Sequence, residues 1–510
     1  MPATCAIGSS RAYRTRWWAL GVLSFGLFMA SLDNTILNVA LPTLARELGA
    51  STDELQWTVD AYQVTYAGLL LVAGALVDRW GKSRTFLVGT ACFGGFSLMA
   101  GLVNTTGLLI AARSLMGIGA ALLAPSTLAL VSMTFTRRKE RTVAFALWSG
   151  ANGAGGAVGP LLSGILLEHF RWGAIFLINV PIAVGILVVG TFVLPHTRPK
   201  PIPGGVDVPG SILSTLALAL VCWAVISAPG LGVGSPLVLG AAAAGVALMV
   251  AFIRWESHVT NPILRLSLFR IRRFSVAVAV SGLVTAGGAG ALFVLTQYLQ
   301  FLLGFTPLET GVRVLPIAAA MLIGALAAPR LITALHLKRT VLVGLAQVTI
   351  GFGWMATTTT ESTFAYLLPG AVLFGLGAGV LVPAATQAVM DALPPDAMGA
   401  GSATNTANMQ VGSALGVAVI GSILSARYRG VLTSNEIWDQ LGQWQETALQ
   451  SVAGALQAAG QLPADLGARL EDLAQLGFIS GMQLSLAASA ASVLIALIAV
   501  AVLYPRDRLL

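Results

Sequence analysis

Charge is scarce in this sequence. Only 10% of its 510 residues are Asp, Glu, Lys or Arg, against about 25% in an ordinary soluble domain. Length alone suggests three or four soluble domains, but so few charges could not wet their surfaces. The mean hydropathy of +0.83 excludes a soluble enzyme, a disordered chain and a nucleic-acid binder. Cysteines number three, and Cys5, Cys92 and Cys222 are scattered, so there is neither a disulfide framework nor metal-ligand spacing. The four histidines, His169, His196, His258 and His336, show no metal spacing either. The His or acid cluster of a membrane-embedded enzyme is therefore missing, and the chain is not read as an enzyme. No Gly-x-x-x-x-Gly-Lys-Ser/Thr loop is present, which excludes ATP hydrolysis by this chain. No cofactor and no metal are expected.

What is abundant is apolar length. Runs of about 20 apolar residues match the hydrocarbon thickness at a rise of about 1.5 Å per residue. Fourteen are expected, near 17–41, 55–77, 84–103, 107–134, 142–167, 173–194, 208–229, 234–254, 274–302, 310–333, 339–358, 364–391, 400–425 and 482–504. The first follows Arg11, Arg14 and Arg16, is too long for a signal-peptide core and holds Asp33, Asn34 and Asn38, so it reads as an uncleaved first helix. With the amino terminus in the cytoplasm and strict alternation, cytoplasmic segments hold 22 of the 29 Lys and Arg residues. Outside segments hold 5, and Arg113 and Arg313 lie within spans. This is the positive-inside asymmetry of a multi-pass protein of the inner (cytoplasmic) membrane with both termini in the cytoplasm. The basic surplus then faces anionic membrane lipid, and no nucleic-acid partner is needed.

Two stretches echo one another. Gly117-Ile-Gly-Ala-Ala-Leu-Leu-Ala-Pro125, with Gly155 and Gly159 downstream, parallels Gly375-Leu-Gly-Ala-Gly-Val-Leu-Val-Pro383 with Gly412 and Gly416. A fainter echo joins Gly74-Ala-Leu to Gly324-Ala-Leu. Parallel halves with a site between them are a recurrent transporter design. The expected division is an amino-terminal six-span bundle at 1–195, a linker with two inserted spans at 196–273, and a carboxyl-terminal six-span bundle at 274–510. Residues 426–481 form the one long outside loop, with the apolar spacing of an amphipathic cap.

The loop after span 2, Gly74-Ala-Leu-Val-Asp-Arg-Trp-Gly-Lys-Ser-Arg84, resembles the signature of the major facilitator superfamily. Leu32-Asp-Asn-Thr-Ile-Leu-Asn-Val-Ala-Leu-Pro42 is similar to the span-1 motif of its fourteen-span drug:proton antiporters, the QacA/EmrB-like group. Gly150-Ala-Asn-Gly-Ala-Gly-Gly-Ala-Val-Gly-Pro160 with Gly164 resembles the antiporter motif of span 5. Arg113-x-x-x-Gly117-x-Gly119 matches a further motif, with Met116 in place of the usual glutamine. The resemblance implies an all-α major facilitator fold of two six-helix bundles plus two linker helices. It also implies efflux of drugs or antibiotics by a monomer driven by the proton gradient. Gly74, Asp78, Arg79, Gly81, Lys82 and Arg84 would form the cytoplasmic gate, with Gly74 allowing close helix contact and Gly81 a tight turn. Gly155, Gly159, Pro160 and Gly164 would pack a dry seam between the halves.

Charges inside spans cost at least about 2.5–3.5 kcal/mol each on insertion scales, so each needs a reason. Depth arithmetic puts Asp33, Asp60 and Arg113 in one layer of the outer half of the amino-terminal bundle. Asp33 is the first choice for the proton-coupling acid, with Asn34 and Asn38 beside it, and Asp60 is the second or a recogniser of positive substrates. A structural Asp–Arg pair is the bland alternative. Trp57, Tyr62, Phe293, Tyr298, Asn405 and Asn408 are candidate cavity-lining residues, since aromatic walls suit lipophilic cations. The expected function is export of lipophilic, cationic or amphipathic small molecules in exchange for protons. Export of an endogenous metabolite, lipid or amino acid is the alternative.

Overall fold

In lipid, backbone polar groups must be satisfied within the segment, and the apolar runs accordingly form helices. The computed structural model describes residues 15–135, 137–195, 207–260, 262–393 and 398–503, which contain helices and no strand. Arg11, Arg14 and residues 196–206 lie outside these residues, as does the side chain of Asp78. The helices are α1 Arg16–Leu48, α2 Thr52–Trp80, α3 Lys82–Leu102, α4 Thr106–Thr134 and α5 Arg138–His169. Then come α6 Ala174–Val193, α7 Val208–Leu231, α8 Pro236–Glu256 and α9 Arg272–Leu302. The 49-residue segment Pro307–Met355 breaks at His336, whose φ of 66° and ψ of 159° are non-helical. The break divides it into α10 before His336 and α11 after it. The last are α12 Phe364–Asp391, α13 Met398–Thr433 and α14 Ala464–Leu503. Taking Pro307–Met355 as one, eleven helices among the described residues are long and apolar enough to cross a membrane, and α2 and α5 fall outside that number.

Equivalent glycines make equivalent contacts in the two parts of the chain. A Cβ on Gly117 of α4 would stand 2.7 Å from the Tyr62 carbonyl oxygen of α2, and one on Gly375 of α12 would stand 2.7 Å from the Ile317 oxygen of α10. Gly119 meets Phe93 of α3, as Gly377 meets Gly344 of α11. Gly155 and Gly159 press on the α1 backbone at Phe28 and Leu32, and Gly412 and Gly416 press on α9 at Gly282 and Ala286. Capping boxes extend the repeat. Ser51 and Glu54 start α2, and Thr306 and Glu309 start α10, with the same 3.2 and 2.9 Å bonds.

The span-5 stripe therefore packs mainly within its own part of the chain, because the small residues seat α5 against α1. The contact across to α10 is made by Gly164 against Leu308, whose Cα a Cβ on Gly164 would approach to 2.6 Å, and by Gly311 against Pro160. Gly412 and Gly416 likewise stay on α9. The inserted α7 packs on α2 and α13, with α8 behind it. Ser211 of α7 donates to the Gly68 oxygen at 3.0 Å, and Ser422 of α13 donates to the Val225 oxygen at 2.8 Å.

The 426–481 segment is mostly an extension of helices: α13 runs on to Thr433 and α14 starts at Ala464. Between them Trp438–Trp444, Gln445–Gln450 and Val452–Ala459 fold into a small cap over buried Leu441, Val452 and Leu470. Tyr428 is buried there and donates to the Ala448 oxygen at 2.9 Å. Thr52, at the start of α2, donates to the Gln450 oxygen at 3.0 Å and ties the cap across the molecule.

At the other end Gly81 has φ +92° and alone links α2 to α3, the tight turn expected of it. Gly74 corrects an expectation. No atom of the described residues lies within 4 Å of where its Cβ would be, so it makes no close helix contact with them. Arg79 and Arg84 are exposed and Lys82 is half-buried.

Candidate functional site

Asp33 and Arg113 form an ion pair with side-chain exposures of 0% and 1%. Both Asp33 carboxylate oxygens and the Arg113 Nε have partners. Asn179 of α6 donates from Nδ2 to Asp33 Oδ1 at 3.2 Å and lies 3.1 Å from Ser97 Oγ of α3. Ser97 in turn donates to the Phe176 oxygen at 2.9 Å. Arg113 Nε donates to the Thr58 oxygen at 3.1 Å, and its guanidinium lies 4.4 Å from the Tyr62 ring centroid. One network thus joins α1, α2, α3, α4 and α6. A buried pair of this kind is held by hydrogen bonds as much as by charge, and losing one partner strands the other.

Asp60 is not part of it. Depth arithmetic set it level with Asp33, but its side chain faces elsewhere. It is fully buried, and neither carboxylate oxygen has a hydrogen-bond partner among the described residues. Trp57 and Val64, one turn to either side, pack with Cys222 and Ile226 of α7 and Ala414 of α13. Asp60 shares that face. Arg313 sits near the end of α10, half-exposed, 3.8 Å from Glu309 and over the Phe305 ring at 3.6 Å.

A cavity of about 320 Å³ lies between the two sets of helices. One wall is Asn34, Thr35 and Asn38 of α1, Val59 and Gln63 of α2, and Gly156 and Pro160 of α5. The other comes from α9 to α14 and includes Thr285, Phe374, Ser413 and four methionines, Met321, Met355, Met409 and Met482. No charged side chain among the described residues lines it. Gln63 Nε2 donates to Asn34 Oδ1 at 2.5 Å, bridging α1 and α2 on the cavity wall.

None of the six expected lining residues is among those that line it, whereas Asn34 and Asn38, expected beside Asp33, are. Trp57 packs against the α7–α13 cluster. Tyr62 is buried over Arg113 and Phe293 is buried in the core. Tyr298 donates to the Ser362 oxygen at 2.9 Å. Asn405 is buried beside Met409, and Asn408 donates to the Val278 oxygen at 2.7 Å. These six rings and amides fill tight helix contacts, where they gain area and hydrogen bonding, while most of the cavity wall is aliphatic. Gln63 and Asn179 escaped the sequence reading. Their one signal was a polar residue in an otherwise apolar run.

Contacts between the two sets of helices gather toward the cap. Gln56 Nε2 donates to the Val417 oxygen at 3.3 Å, and Gln300 Nε2 to the Val39 oxygen at 2.7 Å. Gly164 meets Leu308 there as well. Two bundles closed at one end around an apolar cavity set the frame for comparison with known proteins. The sequence model of the Major Facilitator Superfamily matches residues 23–417. The chain belongs to that superfamily. Among its relatives is the multidrug efflux pump LfrA of Mycolicibacterium smegmatis, 33% identical over 99% of this chain and 100% of that protein. The tetracenomycin C resistance and export protein of Streptomyces glaucescens is 33% identical, over 94% and 90%. The methyl viologen resistance protein SmvA of Salmonella typhimurium is 32% identical, over 94% and 96%. A bacterial homolog of the human lysosomal transporter Spinster, solved inward-facing and unoccupied, superposes with a TM-score of 0.65 at 15% identity, covering 96% of this chain and 98% of that one. The fold is thus an all-helical major facilitator fold, and this member of the superfamily is a polytopic membrane transporter rather than an enzyme.

Proposed function

We propose that this transporter exports lipophilic, cationic or amphipathic drugs from the cytoplasm in exchange for protons, as a monomer of the fourteen-span QacA/EmrB-like group. The observation that carries the reading is the cavity between the two bundles with the Asp33–Arg113 pair buried directly behind its α1 wall. Relatives named for multidrug efflux and for resistance to tetracenomycin C and methyl viologen support drugs as the substrate class. α2 and α5, together with the division of Pro307–Met355 at His336, would bring the spans to fourteen. The bundles would be 1–195 and 274–510, with 196–273 as the inserted pair. The basic segments support a cap on the outside and both termini in the cytoplasm. The cavity, closed at the cap end, then takes substrate from the cytoplasm or the inner leaflet.

Coupling would run through the wall. Asp33 does not touch the cavity, so substrate and proton do not compete for one carboxylate surface. Protonation of Asp33 would remove its attraction to Arg113 and free α1, α2 and α4 to shift, and with them the cavity face that carries Asn34 and Gln63. Deprotonation on the cytoplasmic side would restore the pair. No cofactor takes part; the proton gradient supplies the work.

Proteoliposomes with an imposed pH gradient test this. The wild type should accumulate a lipophilic cationic dye against its gradient, and Asp33→Asn should abolish the proton-driven part while still purifying as a folded protein. Undiminished pH-driven transport by the Asn variant would remove Asp33 from the coupling role.

A further inference from the structure

The cavity is apolar nearly all round; its polar lining is a strip of Asn34, Thr35 and Asn38 on α1, with Gln63 of α2, Thr285 of α9 and Ser413 of α13. Asn34 spends its Oδ1 on Gln63, so its Nδ2 is left without a partner among the described residues. Asn38 spends its Nδ2 on the Asn34 backbone oxygen at 3.2 Å, so its Oδ1 is left. Thr35, between them, returns its hydroxyl proton to the Leu32 oxygen at 3.2 Å. Residues four apart lie one above the other on a helix, with Cβ atoms about 5–6 Å apart. The strip therefore presents one donor and one acceptor, side by side, to the cavity. Gln63 is 1% exposed, and its grip on Oδ1 decides which way the Asn34 amide points.

We infer that Asn34 and Asn38 anchor the polar edge of the substrate, selecting apolar, planar molecules that carry a carbonyl oxygen next to an N–H or O–H, with Gln63 as the positioning residue. The inference deepens the export reading and rests on it. The carbonyl accepts from Asn34 Nδ2 and the N–H or O–H donates to Asn38 Oδ1. The remainder of the molecule lies against Phe374 and the four methionines, whose unbranched, polarisable side chains adapt to different outlines. Recognition is then broad for shape, with a preference for molecules that carry the edge. A site built to hydrogen-bond one edge disfavours analogues lacking it, because its own amides are left unpaired.

The test is equilibrium binding to the purified full-length protein in detergent, with anthraquinone-2-carboxamide, anthraquinone and tetraphenylphosphonium as probes. The wild type should bind the carboxamide about tenfold more tightly than anthraquinone, the effect of one good hydrogen bond on Kd. Asn34→Leu, Asn38→Leu and Gln63→Leu should each shrink that ratio to about one, while the ratio of tetraphenylphosphonium to anthraquinone affinity stays within about twofold of wild type. The inference is overturned if the wild type shows no preference for the carboxamide or binds neither quinone. It is also overturned if the variants weaken all three probes equally, since the residues would then only shape the cavity. The wild-type comparison needs no variant to fold. Binding of the carboxamide without its proton-driven movement in proteoliposomes would sink the export reading and leave the anchor standing.

Discussion

At the residue scale, neighbours in sequence divide the work. Asp33 and Asn34 are about 100° apart around α1. One faces the buried network and the other the cavity. The rarity of charge in the spans pointed to Asp33 and Arg113, because a buried ion without a partner is so costly. Their pairing follows from that cost. The azimuth of the remaining polar and aromatic residues was not legible. A membrane helix that is apolar on every side has no hydrophobic stripe to orient it, so depth could be counted but facing could not. Asp60 shows the consequence: level with Asp33 by arithmetic, yet turned toward α7. The two acids should therefore respond differently. Arg113→Ala strands the Asp33 carboxylate and should cost about 3–5 kcal/mol, read as a marked fall in the thermal unfolding midpoint in detergent. Asp60→Asn replaces a buried carboxyl that has no hydrogen-bond partner among the described residues and should leave the midpoint unchanged or raised. Equal losses in the two variants would mean that Asp60 has a partner after all.

At the element scale, the repeat was legible because close backbone approach admits only the smallest side chain, and that demand recurs wherever the geometry recurs. Gly117 with Gly375, and the Gly155/Gly159 pair with Gly412/Gly416, were seen as letters and prove to be equivalent contacts. Which partner each glycine meets was not legible. The span-5 stripe was expected at the seam and lies mainly against α1, since a glycine advertises a close neighbour without naming it. The short letters of Gly74 and Gly324 mislead in the same way. Gly324 presses on the Leu376 oxygen of α12, while Gly74 has open space. Valine at Gly117 or Gly412 should drive α4 from α2 or α13 from α9, at about 1–3 kcal/mol or more. The expected result is loss of the monodisperse peak in fluorescence-detected size exclusion. Gly74→Val should keep that peak. If all three variants behaved alike, glycine spacing alone would not mark the helix contacts.

At the scale of the whole molecule, the contacts across the two bundles lie toward the cap and the turn at Gly81 lies at the far end, beyond Gly74 and its open space. Transport by alternating access requires the cap-end contacts to break once per cycle, including the bond from Gln56 of α2 to the α13 backbone. That contact offers a lock. A Cβ on Gly421 would stand 3.0 Å from Gln56 Cγ, the place a cysteine sulfur at position 56 would occupy, which suits a disulfide. Gln56→Cys with Gly421→Cys, in a chain whose own Cys5, Cys92 and Cys222 are replaced by serine, should cross-link on mild oxidation. Proteoliposomes bearing the cross-linked protein should lose proton-driven dye movement and regain it when a thiol reductant is added. Binding of the dye to the oxidised protein in detergent should persist, because the cavity lies below the lock and remains open at the other end. Transport that continues through a fully formed cross-link would mean that α2 and α13 move together, and the parting of the bundles would then have to be sought between α5 and α10, at Gly164 and Leu308.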